Sequence, residues 1–489
     1  MRSDKTIRFV LDNTVVEAHD VAPTTTLLQY LRDTMGRCGT KEGCAEGDCG
    51  ACTVVLGELD GEHIRYQAVN SCIRLMPTVD GKEVVTVESL SHANADLHPV
   101  QQAMVDHHGS QCGFCTPGFV MSLFDVYLNQ PDAARQQVVD ALAGNLCRCT
   151  GYRPIIDAGC SMNDYPPSAH WNRAEAQSEV RKQRLTDLQR EHGLDLGGAF
   201  RAPRSLDELA QSYLQTPDAL LLAGGTDIGL WVTKQLRVLP AIIYLGEVAE
   251  LKQIQQTDGA LEIGAAVSLS YAYTALVAHY PMLAELHRRF ASPPIRNSGT
   301  LCGNLANGSP IGDSMPILIA LGAVLTLRRG DEVRELALDE FYLGYQQKAW
   351  QAGEFIQSVS IPLPKSDRIV ASYKISKRSD QDISAVCGGY AFDIEHGIIK
   401  SARIAYGGMA ATSKRATHTE AALIGQPWSL SAIEAALPEL ARDYTPLSDM
   451  RASADYRLKV AQNLLKRLYL EHGDSSVSCR IGQIDGVSV

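Results

Sequence analysis

Gly43 to Cys52 reads Gly-Cys-Ala-Glu-Gly-Asp-Cys-Gly-Ala-Cys, and this stretch decides the fold of the first part of the chain. It spaces Cys44, Cys49 and Cys52 as C-x4-C-x2-C, which is the spacing of a plant-type [2Fe-2S] ferredoxin loop. Cys72 supplies the fourth thiolate. Three glycines in the stretch allow positive φ angles, so the backbone can wrap closely around a small object. A zinc site is the alternative, although zinc sites usually use C-x2-C pairs.

The residues around this loop predict a β-grasp order of elements. Residues 5–20 alternate apolar and polar side chains and predict a hairpin with its turn at Asp12-Asn13. Thr26–Asp33 has the pattern of a short amphipathic helix. Residues 53–56 and 83–87 predict two further strands after the cysteine loop.

From His98 onward the apolar spacing changes to a helical period, and two more cysteine pairs appear. Cys112 and Cys115 form C-x2-C, and after 31 intervening residues Cys147 and Cys149 form C-x-C. Four thiolates on helix ends can hold a second [2Fe-2S] cluster. A four-thiolate zinc site and two unrelated redox pairs remain as alternatives.

The composition is that of a soluble globular protein with several domains. The chain has 489 residues and a net charge of −11, which argues against nucleic acid or an anionic membrane as the main partner. No signal peptide is visible, and the longest apolar run, Met315–Leu327, is too short to span a bilayer. We therefore expect a cytoplasmic protein. In that compartment, thirteen cysteines indicate metal sites before disulfides.

Three cysteine motifs in this order resemble the xanthine dehydrogenase (xanthine oxidase) family of molybdenum hydroxylases. They are Thr40–Thr53, Gln111–Gly118 and Leu146–Ile155. The resemblance implies two [2Fe-2S] clusters. The one nearer the flavin would be held by Cys44, Cys49, Cys52 and Cys72, and the one nearer molybdenum by Cys112, Cys115, Cys147 and Cys149.

Two glycine-rich stretches lie further along, in an α/β-like region. Ala219–Ala223 predicts a buried strand that runs straight into Gly224-Gly-Thr-Asp-Ile-Gly229, an arrangement suited to an anion. Arg296–Asp313 is dense in small residues and side-chain amides, which suits a loop against a large polar ligand. A plain tight turn and a series of glycine-rich turns are the alternatives. Neither G-x-G-x-x-G nor a P-loop is present, so the pattern supports neither a Rossmann site nor an ATPase.

Together the two stretches are similar to the FAD domain of the same family, whose fold is not Rossmann-like. The resemblance implies FAD contacts at Leu221, Leu222, Ala223, Gly224, Gly225, Thr226, Asp227, Ile228, Phe290, Thr300, Leu301, Cys302, Gly303, Asn304, Asp313, Ile356 and Lys374. Phe290 would pack on the adenine end, and Lys374 would contact the isoalloxazine region. Position 302 is Cys where the family usually has Gly, so we expect the loop to sit slightly differently there.

The resemblance implies an α+β multidomain fold. We expect a plant-type ferredoxin domain at 1–90, a helical [2Fe-2S] domain at 91–160, a linker at 161–197, an FAD-binding domain of the PCMH (vanillyl-alcohol-oxidase) type at 198–370, and a CO dehydrogenase flavoprotein-like C-terminal domain at 371–489. The linker is rich in charge, so its helices are expected to be exposed to solvent.

The function implied is that of an electron-transfer subunit without a catalytic residue of its own. Electrons from a molybdenum cofactor on a large partner subunit would pass through both clusters to FAD and then to NAD+, as hypoxanthine and xanthine are oxidised to urate in purine catabolism. The resemblance further implies a pterin contact at Gln111, NAD contacts at Tyr345 and Asp380, and a heterotetramer of two small and two large chains. Another molybdenum hydroxylase, acting on an aldehyde or N-heterocycle, is the alternative, and a non-catalytic zinc scaffold is the alternative from a different class.

Overall fold

The computed structural model describes residues 5–91, 96–473 and 479. It divides into two compact units. The first unit comprises Met1–Glu250, Ser268–Ser270 and Ala291–Gly299. The second comprises Leu251–Val267, Tyr271–Phe290 and Thr300–Val489. The predicted C-terminal domain reaches residue 489, and its residues 474–478 and 480–489 lie outside the described part.

The first unit opens with a five-stranded sheet in the order β2-β1-β5-β3-β4. Its strands are β1 Ile7–Leu11, β2 Thr14–Ala18, β3 Thr53–Asp60, β4 His63–Asn70 and β5 Glu83–Val85. The predicted hairpin is confirmed: β1 and β2 pair antiparallel, and Asp12 and Asn13 in the turn have φ of 50° and 62°. Positive φ at both central residues matches the right-handed twist of the strands. The predicted helix over 26–33 is an α-helical turn, Leu27–Gln29, continued by a π-helical turn, Tyr30–Thr34.

Four helices come after this sheet in the chain, and they share one core. They are Pro99–Asp106, Thr116–Asn129, Arg135–Ala141 and Arg153–Ser161. Their apolar faces meet around Phe119, Leu123 and Phe124, all of which are fully buried. Since the long helix starts directly after Cys115, burial of its apolar face also fixes where that cysteine lies.

The charge-rich stretch 161–197 holds two helices, Arg173–Ala176 and Glu179–Leu188. Trp171, Leu185 and Leu188 are buried in the same core as the cysteine-bearing helices. The stretch therefore packs on the first part of the chain, in addition to connecting it to the residues after 197. Its charges are not all solvated: Arg181 is buried against Glu83, with its guanidinium 3.8 Å from the centre of the Trp171 ring.

A second sheet of the first unit has the order β6-β7-β9-β8. Its strands are β6 Leu194–Asp195, β7 Phe200–Ala202, β8 Leu220–Leu222 and β9 Ile242–Tyr244. The last three pair in parallel, and buried Phe200 and Leu222 join the core of the first sheet. Helices Leu206–Gln215, Ile228–Thr233 and Pro293–Ser298 complete this part.

The second unit contains three sheets. The largest, in the order β10-β11-β16-β12-β13, joins Ile254–Gln256, Ala260–Gly264, Phe355–Pro362, Val324–Arg329 and Glu332–Ala337. A small hairpin pairs β14 Tyr342–Gly344 with β15 Gln347–Lys348. The third sheet has the order β17-β18-β19-β20 and joins Arg368–Ile375, Val386–Glu395, Ile398–Gly407 and Lys414–Arg415. Its buried side chains share a core with the long helix Ala454–His472.

The remaining helices of the chain are Leu269–His279, Ala284–Arg289, Leu301–Asn307, Ser314–Leu321, Leu338–Phe341, Thr417–Leu423, Leu430–Ala436 and Leu440–Asp443. Ser314–Leu321 is buried along its whole length and packs on β18 and β19. None of the helices in the described ranges combines the length and the apolar character that crossing a bilayer requires.

Candidate cofactor sites

The first set of cysteines converges at one end of the β-grasp sheet. The Cys44 thiol shares hydrogen bonds with the thiols of Cys49 and Cys72, and Cys52 shares one with Cys72. The amides of Asp48 and Cys49 donate to Cys44 Sγ at 3.4 and 3.3 Å. Amide N–H groups that point at sulfur are the donors that adjust the potential of an iron–sulfur cluster.

Contacts among these thiols move their pKa values apart. Hydrogen bonds from Cys49 and Cys72 lower the pKa of Cys44, and a hydrogen bond from Cys72 lowers that of Cys52. Their partners shift the other way, because donating to Cys44 raises the pKa of both Cys49 and Cys72. The thiolate is the form that binds metal.

The second set lies at the ends of the helices that share the core around Phe119. Cys115 shares a hydrogen bond with Cys147, and Cys112 shares one with Cys149. Burial and the contact with Cys147 raise the pKa of Cys115 to about 12. Burial opposes ionisation of Cys147, but hydrogen bonds from Thr150 lower its pKa overall. Cys112 and Cys149 are exposed, so one edge of this set faces solvent in the isolated chain.

Both sets fit a dinuclear cluster. A [2Fe-2S] cluster divides four thiolates between two irons. In the second set the thiols lie in two pairs, Cys115 with Cys147 and Cys112 with Cys149, and in the first set the contacts link all four thiols. The hydroxyl oxygen of Thr40, beside the first set in sequence, is buried and finds no partner within the described residues.

The two sets are connected by hydrogen bonds between their loops. The amide of Leu146, next to Cys147, donates to the carbonyl oxygen of Cys49 at 3.0 Å. Asn145 Nδ2 donates to the Gly50 carbonyl oxygen at 3.2 Å, and Asn145 Oδ1 accepts from the Ser122 hydroxyl at 2.7 Å. The sequence carries no signal for this connection, because the partners lie 95 residues apart.

The first glycine-rich stretch is a tight loop between β8 and the helix Ile228–Thr233. Leu221 and Leu222 end the strand, and Asp227 precedes the helix. A Cβ on Gly224 would lie 2.1 Å from the carbonyl oxygen of Ser298, so only glycine allows this approach. Gly225 has φ of 74°, which also favours glycine. The backbone of this loop therefore packs tightly against the end of the helix Pro293–Ser298.

This loop also packs on the first set of cysteines. A Cβ on Gly229 would lie 2.6 Å from the carbonyl oxygen of Ile73, the residue after Cys72. The Thr233 hydroxyl donates to the carbonyl oxygen of Ala45, the residue after Cys44, at 2.7 Å. The predicted flavin loop and two of the predicted iron ligands are thus neighbours within the first unit.

From Thr300 onward the second glycine-rich stretch lies in the second unit, whereas residues 296–299 belong to the first. Thr300 caps the helix Leu301–Asn307 by accepting from the Gly303 amide at 3.0 Å. Cys302 is buried with its thiol 3.8 Å from the Ile263 carbonyl oxygen, and burial raises its pKa to about 12. The side-chain oxygen of Asn304 is buried without a partner in the described part of the chain, which fits a loop that binds a polar cofactor.

Asp313 and Lys374 meet in the second unit. Lys374 Nζ donates to Asp313 Oδ2 at 2.5 Å and to the Ser384 hydroxyl oxygen at 3.0 Å. The Ser384 hydroxyl donates to Asp313 Oδ1 at 2.5 Å. The sequence prediction named the first two residues and missed Ser384, because a single serine in a strand–loop region carries no pattern. All three side chains are buried.

Phe290 and Ile356 are the remaining predicted FAD contacts, and both are buried in the second unit. Phe290 packs on Tyr273 with ring centres 5.7 Å apart. The Tyr273 hydroxyl is 3.0 Å from the hydroxyl of Ser314, which comes directly after Asp313. Ile356 lies in β16 opposite Leu327. The adenine contact implied for Phe290 stays a prediction.

The predicted NAD and pterin contacts lie at the surface. Tyr345 stands in the turn of the β14–β15 hairpin with 62% of its surface exposed. Asp380 is exposed in the loop between β17 and β18. Within this loop the Arg378 amide donates a hydrogen bond to the Asp382 carboxylate. Burial opposes ionisation of Asp382, but this bond and those from neighbouring groups lower its pKa overall. Gln111 is exposed beside Cys112.

Comparison with protein families gives four consecutive matches. They are a 2Fe-2S iron-sulfur cluster binding domain at residues 9–76, a [2Fe-2S] binding domain at 86–160, an FAD binding domain in molybdopterin dehydrogenase at 196–364, and a CO dehydrogenase flavoprotein C-terminal domain at 371–472. These matches confirm the predicted fold class, with two iron–sulfur domains followed by two flavoprotein domains.

Curated relatives match along almost the whole chain. The xanthine dehydrogenase/oxidase of Gallus gallus is 31% identical over 96% of this chain and 40% of its own length. The xanthine dehydrogenase of Emericella nidulans is 33% identical over 95% of this chain and 38% of its own length. The chain therefore spans about two fifths of the length of these relatives.

Solved structures match about half of the chain. A chain of quinoline 2-oxidoreductase from Pseudomonas putida 86 is 28% identical with a TM-score of 0.51, covering 56% of this chain and 95% of its own length. A chain of the carbon monoxide dehydrogenase from Hydrogenophaga pseudoflava is 28% identical with a TM-score of 0.52, covering 55% of this chain and 94% of its own length.

Proposed function

This chain belongs to the molybdenum hydroxylase family as an iron–sulfur and flavin module, and on that premise we propose that it is the electron-transfer subunit of a xanthine dehydrogenase. Electrons released at a molybdenum cofactor on a partner subunit would pass through the Cys112 set and the Cys44 set to FAD and then to NAD+, as hypoxanthine and xanthine are oxidised to urate. The redox chemistry belongs to the cofactors, and the chain binds, spaces and insulates them.

One observation carries the proposal: the two cysteine sets and the glycine loop at Gly224 form a continuous series in the first unit. The Leu146–Cys49 hydrogen bond joins the two sets, and the contacts of Ile73 and Ala45 join the first set to the loop. A scaffold that only held zinc would have no need to place a ligand loop of this kind against its metal ligands.

Xanthine as the substrate is supported by how the relatives match. The xanthine dehydrogenases match 95–96% of the chain, so both iron–sulfur domains and both flavoprotein domains occur together in them. The quinoline 2-oxidoreductase and carbon monoxide dehydrogenase chains match only 55–56% of it. A subunit of a hydroxylase for aldehydes or N-heterocycles is the second candidate, and the quinoline 2-oxidoreductase match favours it.

NAD+ is proposed as the electron acceptor at the exposed residues Tyr345 and Asp380. Tyr345 offers an aromatic face in solvent, and the Asp380 loop is held in place by Asp382. If these residues bind the nicotinamide dinucleotide, Tyr345→Ala and Asp380→Ala each raise the KM for NAD+. An unchanged KM in both variants contradicts the assignment.

The partner proposed is a large subunit that carries the molybdenum cofactor, in a heterotetramer of two small and two large chains in the cytoplasm. Cys112 and Cys149 are exposed beside Gln111, and Phe114 next to them is 48% exposed, so this edge is available for a partner. Gln111 would hydrogen-bond the pterin. Gln111→Ala should then slow cluster reduction by substrate and leave reduction of the flavin by NADH unchanged.

The proposal is tested with the purified full-length chain loaded with iron, sulfide and FAD. It should reduce an artificial dye with NADH, because the flavin accepts hydride and the clusters carry single electrons. It should not oxidise xanthine until the large subunit is added. Xanthine turnover by a sample without detectable molybdenum contradicts the two-subunit proposal.

A further inference from the structure

Three buried polar groups of the second unit form a closed ring. Asp313 accepts two hydrogen bonds, one at each carboxylate oxygen, from Lys374 Nζ and from the Ser384 hydroxyl, both at 2.5 Å. The Ser384 hydroxyl oxygen in turn accepts from Lys374 Nζ at 3.0 Å. The residues Asp313, Lys374 and Ser384 are 6%, 5% and 1% exposed, so water does not replace any of these partners.

The ring uses two of the three donors of Lys374, the single donor of Ser384 and both carboxylate oxygens of Asp313. An ammonium group has three donors and no acceptor. Lys374 spends two of its donors on Asp313 and Ser384, so the direction of the third is fixed by the other two. Without Ser384, one anchor would remain, and the ammonium could rotate about its bond to Asp313.

We propose that Ser384 is a positioning residue for the flavin: its hydroxyl holds the Lys374 ammonium in one orientation and satisfies the second oxygen of Asp313. This inference rests on the proposed function and on the isoalloxazine contact that the family resemblance implies for Lys374. Ser384 itself does not have to touch the cofactor.

The charge balance of the ring gives the direction of the expected effect. A fixed positive charge beside the flavin favours its reduced, more negative form, and the low dielectric of a buried site strengthens this interaction. Loss of the Ser384 hydroxyl loosens the ammonium and leaves Asp313 Oδ1 without its donor. Both changes make the site less favourable to negative charge, so both shift the flavin potential to a more negative value.

The test is a redox titration of the full-length chain loaded with FAD. Ser384→Ala should shift the flavin midpoint potential negatively by roughly tenfold in the two-electron equilibrium constant, about 30 mV. Ser384→Thr keeps the hydroxyl and should restore most of the wild-type potential. Ser372→Ala is the matched control, because Ser372 is a buried serine on the same strand as Lys374 whose hydroxyl donates to the Gly388 carbonyl oxygen instead.

A flavin potential that moves no further in Ser384→Ala than in Ser372→Ala, with FAD bound to both, contradicts the inference and leaves the proposed function standing. A wild-type chain that binds no FAD contradicts both. If Ser384→Ala weakens the fold, Ser384→Cys takes its place, because a thiol fills nearly the same space and is a much weaker donor than a hydroxyl. A flavin potential in Ser384→Cys equal to that in Ser384→Thr counts against the ring.

Discussion

The amide of Leu146 donates to the carbonyl oxygen of Cys49 at 3.0 Å. Leu146 directly precedes Cys147, a proposed ligand of the second cluster, and Cys49 is a proposed ligand of the first. This hydrogen bond therefore connects the two ligand loops through their backbones. Asn145 and Gly50 add a second hydrogen bond beside it. The spacing of the two clusters is therefore set by loop-to-loop contacts, which are accessible to mutation.

Asn145→Ala tests whether this contact matters. The substitution removes the donor to the Gly50 carbonyl oxygen and leaves the Ser122 hydroxyl buried without its acceptor. A buried group without its partner costs about 1–3 kcal/mol, so the free energy of unfolding should fall by that amount. Electron transfer between the two clusters should also slow, which rapid-freeze EPR measures. Asn163→Ala is the control, since Asn163 is an exposed asparagine that donates to the Pro131 carbonyl oxygen.

Serine in place of single cysteines tests the two ligand sets separately. Cys49→Ser should abolish one [2Fe-2S] EPR signal and spare the other, and Cys147→Ser should do the reverse, because a hydroxyl is a much poorer iron ligand than a thiolate. Cys387→Ser should change neither signal. Burial keeps the pKa of Cys387 well above its usual range, so its thiol stays protonated. Loss of a cluster in Cys387→Ser overturns the ligand assignment.

Gly224→Ala should release FAD and keep the clusters. Its added methyl group would lie 2.1 Å from the Ser298 carbonyl oxygen, so the loop must move. The flavin content per chain should fall by at least tenfold, while iron content and both EPR signals stay unchanged. Gly259→Ala is the matched control, because its methyl group would meet nothing within 4 Å. Full flavin content in Gly224→Ala excludes this loop from the site.

His98 makes the first unit sensitive to acid. It is buried, its Nδ1 accepts from the Val100 amide, and its Nε2 faces the Trp171 carbonyl oxygen at 3.0 Å. Burial lowers the pKa of His98 to about 4 in the folded state, against about 6.5 when unfolded. The unfolded chain therefore binds more protons between these values, and stability present above pH 6.5 is lost as the pH falls toward 4.

The loss attributable to His98 is at most about 3.5 kcal/mol, since each pKa unit corresponds to about 1.4 kcal/mol. His98→Asn keeps a residue suited to begin a helix but cannot titrate, so this part of the pH dependence should disappear from urea unfolding curves recorded at pH 7 and pH 5. His63→Asn, at an exposed position, should keep the pH dependence of the wild type. Equal pH dependence in wild type and His98→Asn contradicts the account.

Short-range patterns predicted much of this fold. The hairpin at residues 5–20 and the cysteine spacings are local, so the sequence alone shows them. The pairings across long separations are not local. Arg181 looks like one more solvated charge in a charged helix, and only the fold brings it to Glu83, 98 residues away. Local patterns could not predict the role of Ser384 either, since its partner Asp313 is 71 residues away.

The proposed function requires one chain to hold two [2Fe-2S] clusters and one FAD. Metal, sulfide and flavin analysis of the purified chain, combined with EPR of its dithionite-reduced form, measures this directly. We expect about four irons and about four acid-labile sulfides for each FAD, and two distinct [2Fe-2S] signals. Stoichiometric zinc, with no visible absorption and no EPR signal after reconstitution with iron and sulfide, would contradict it.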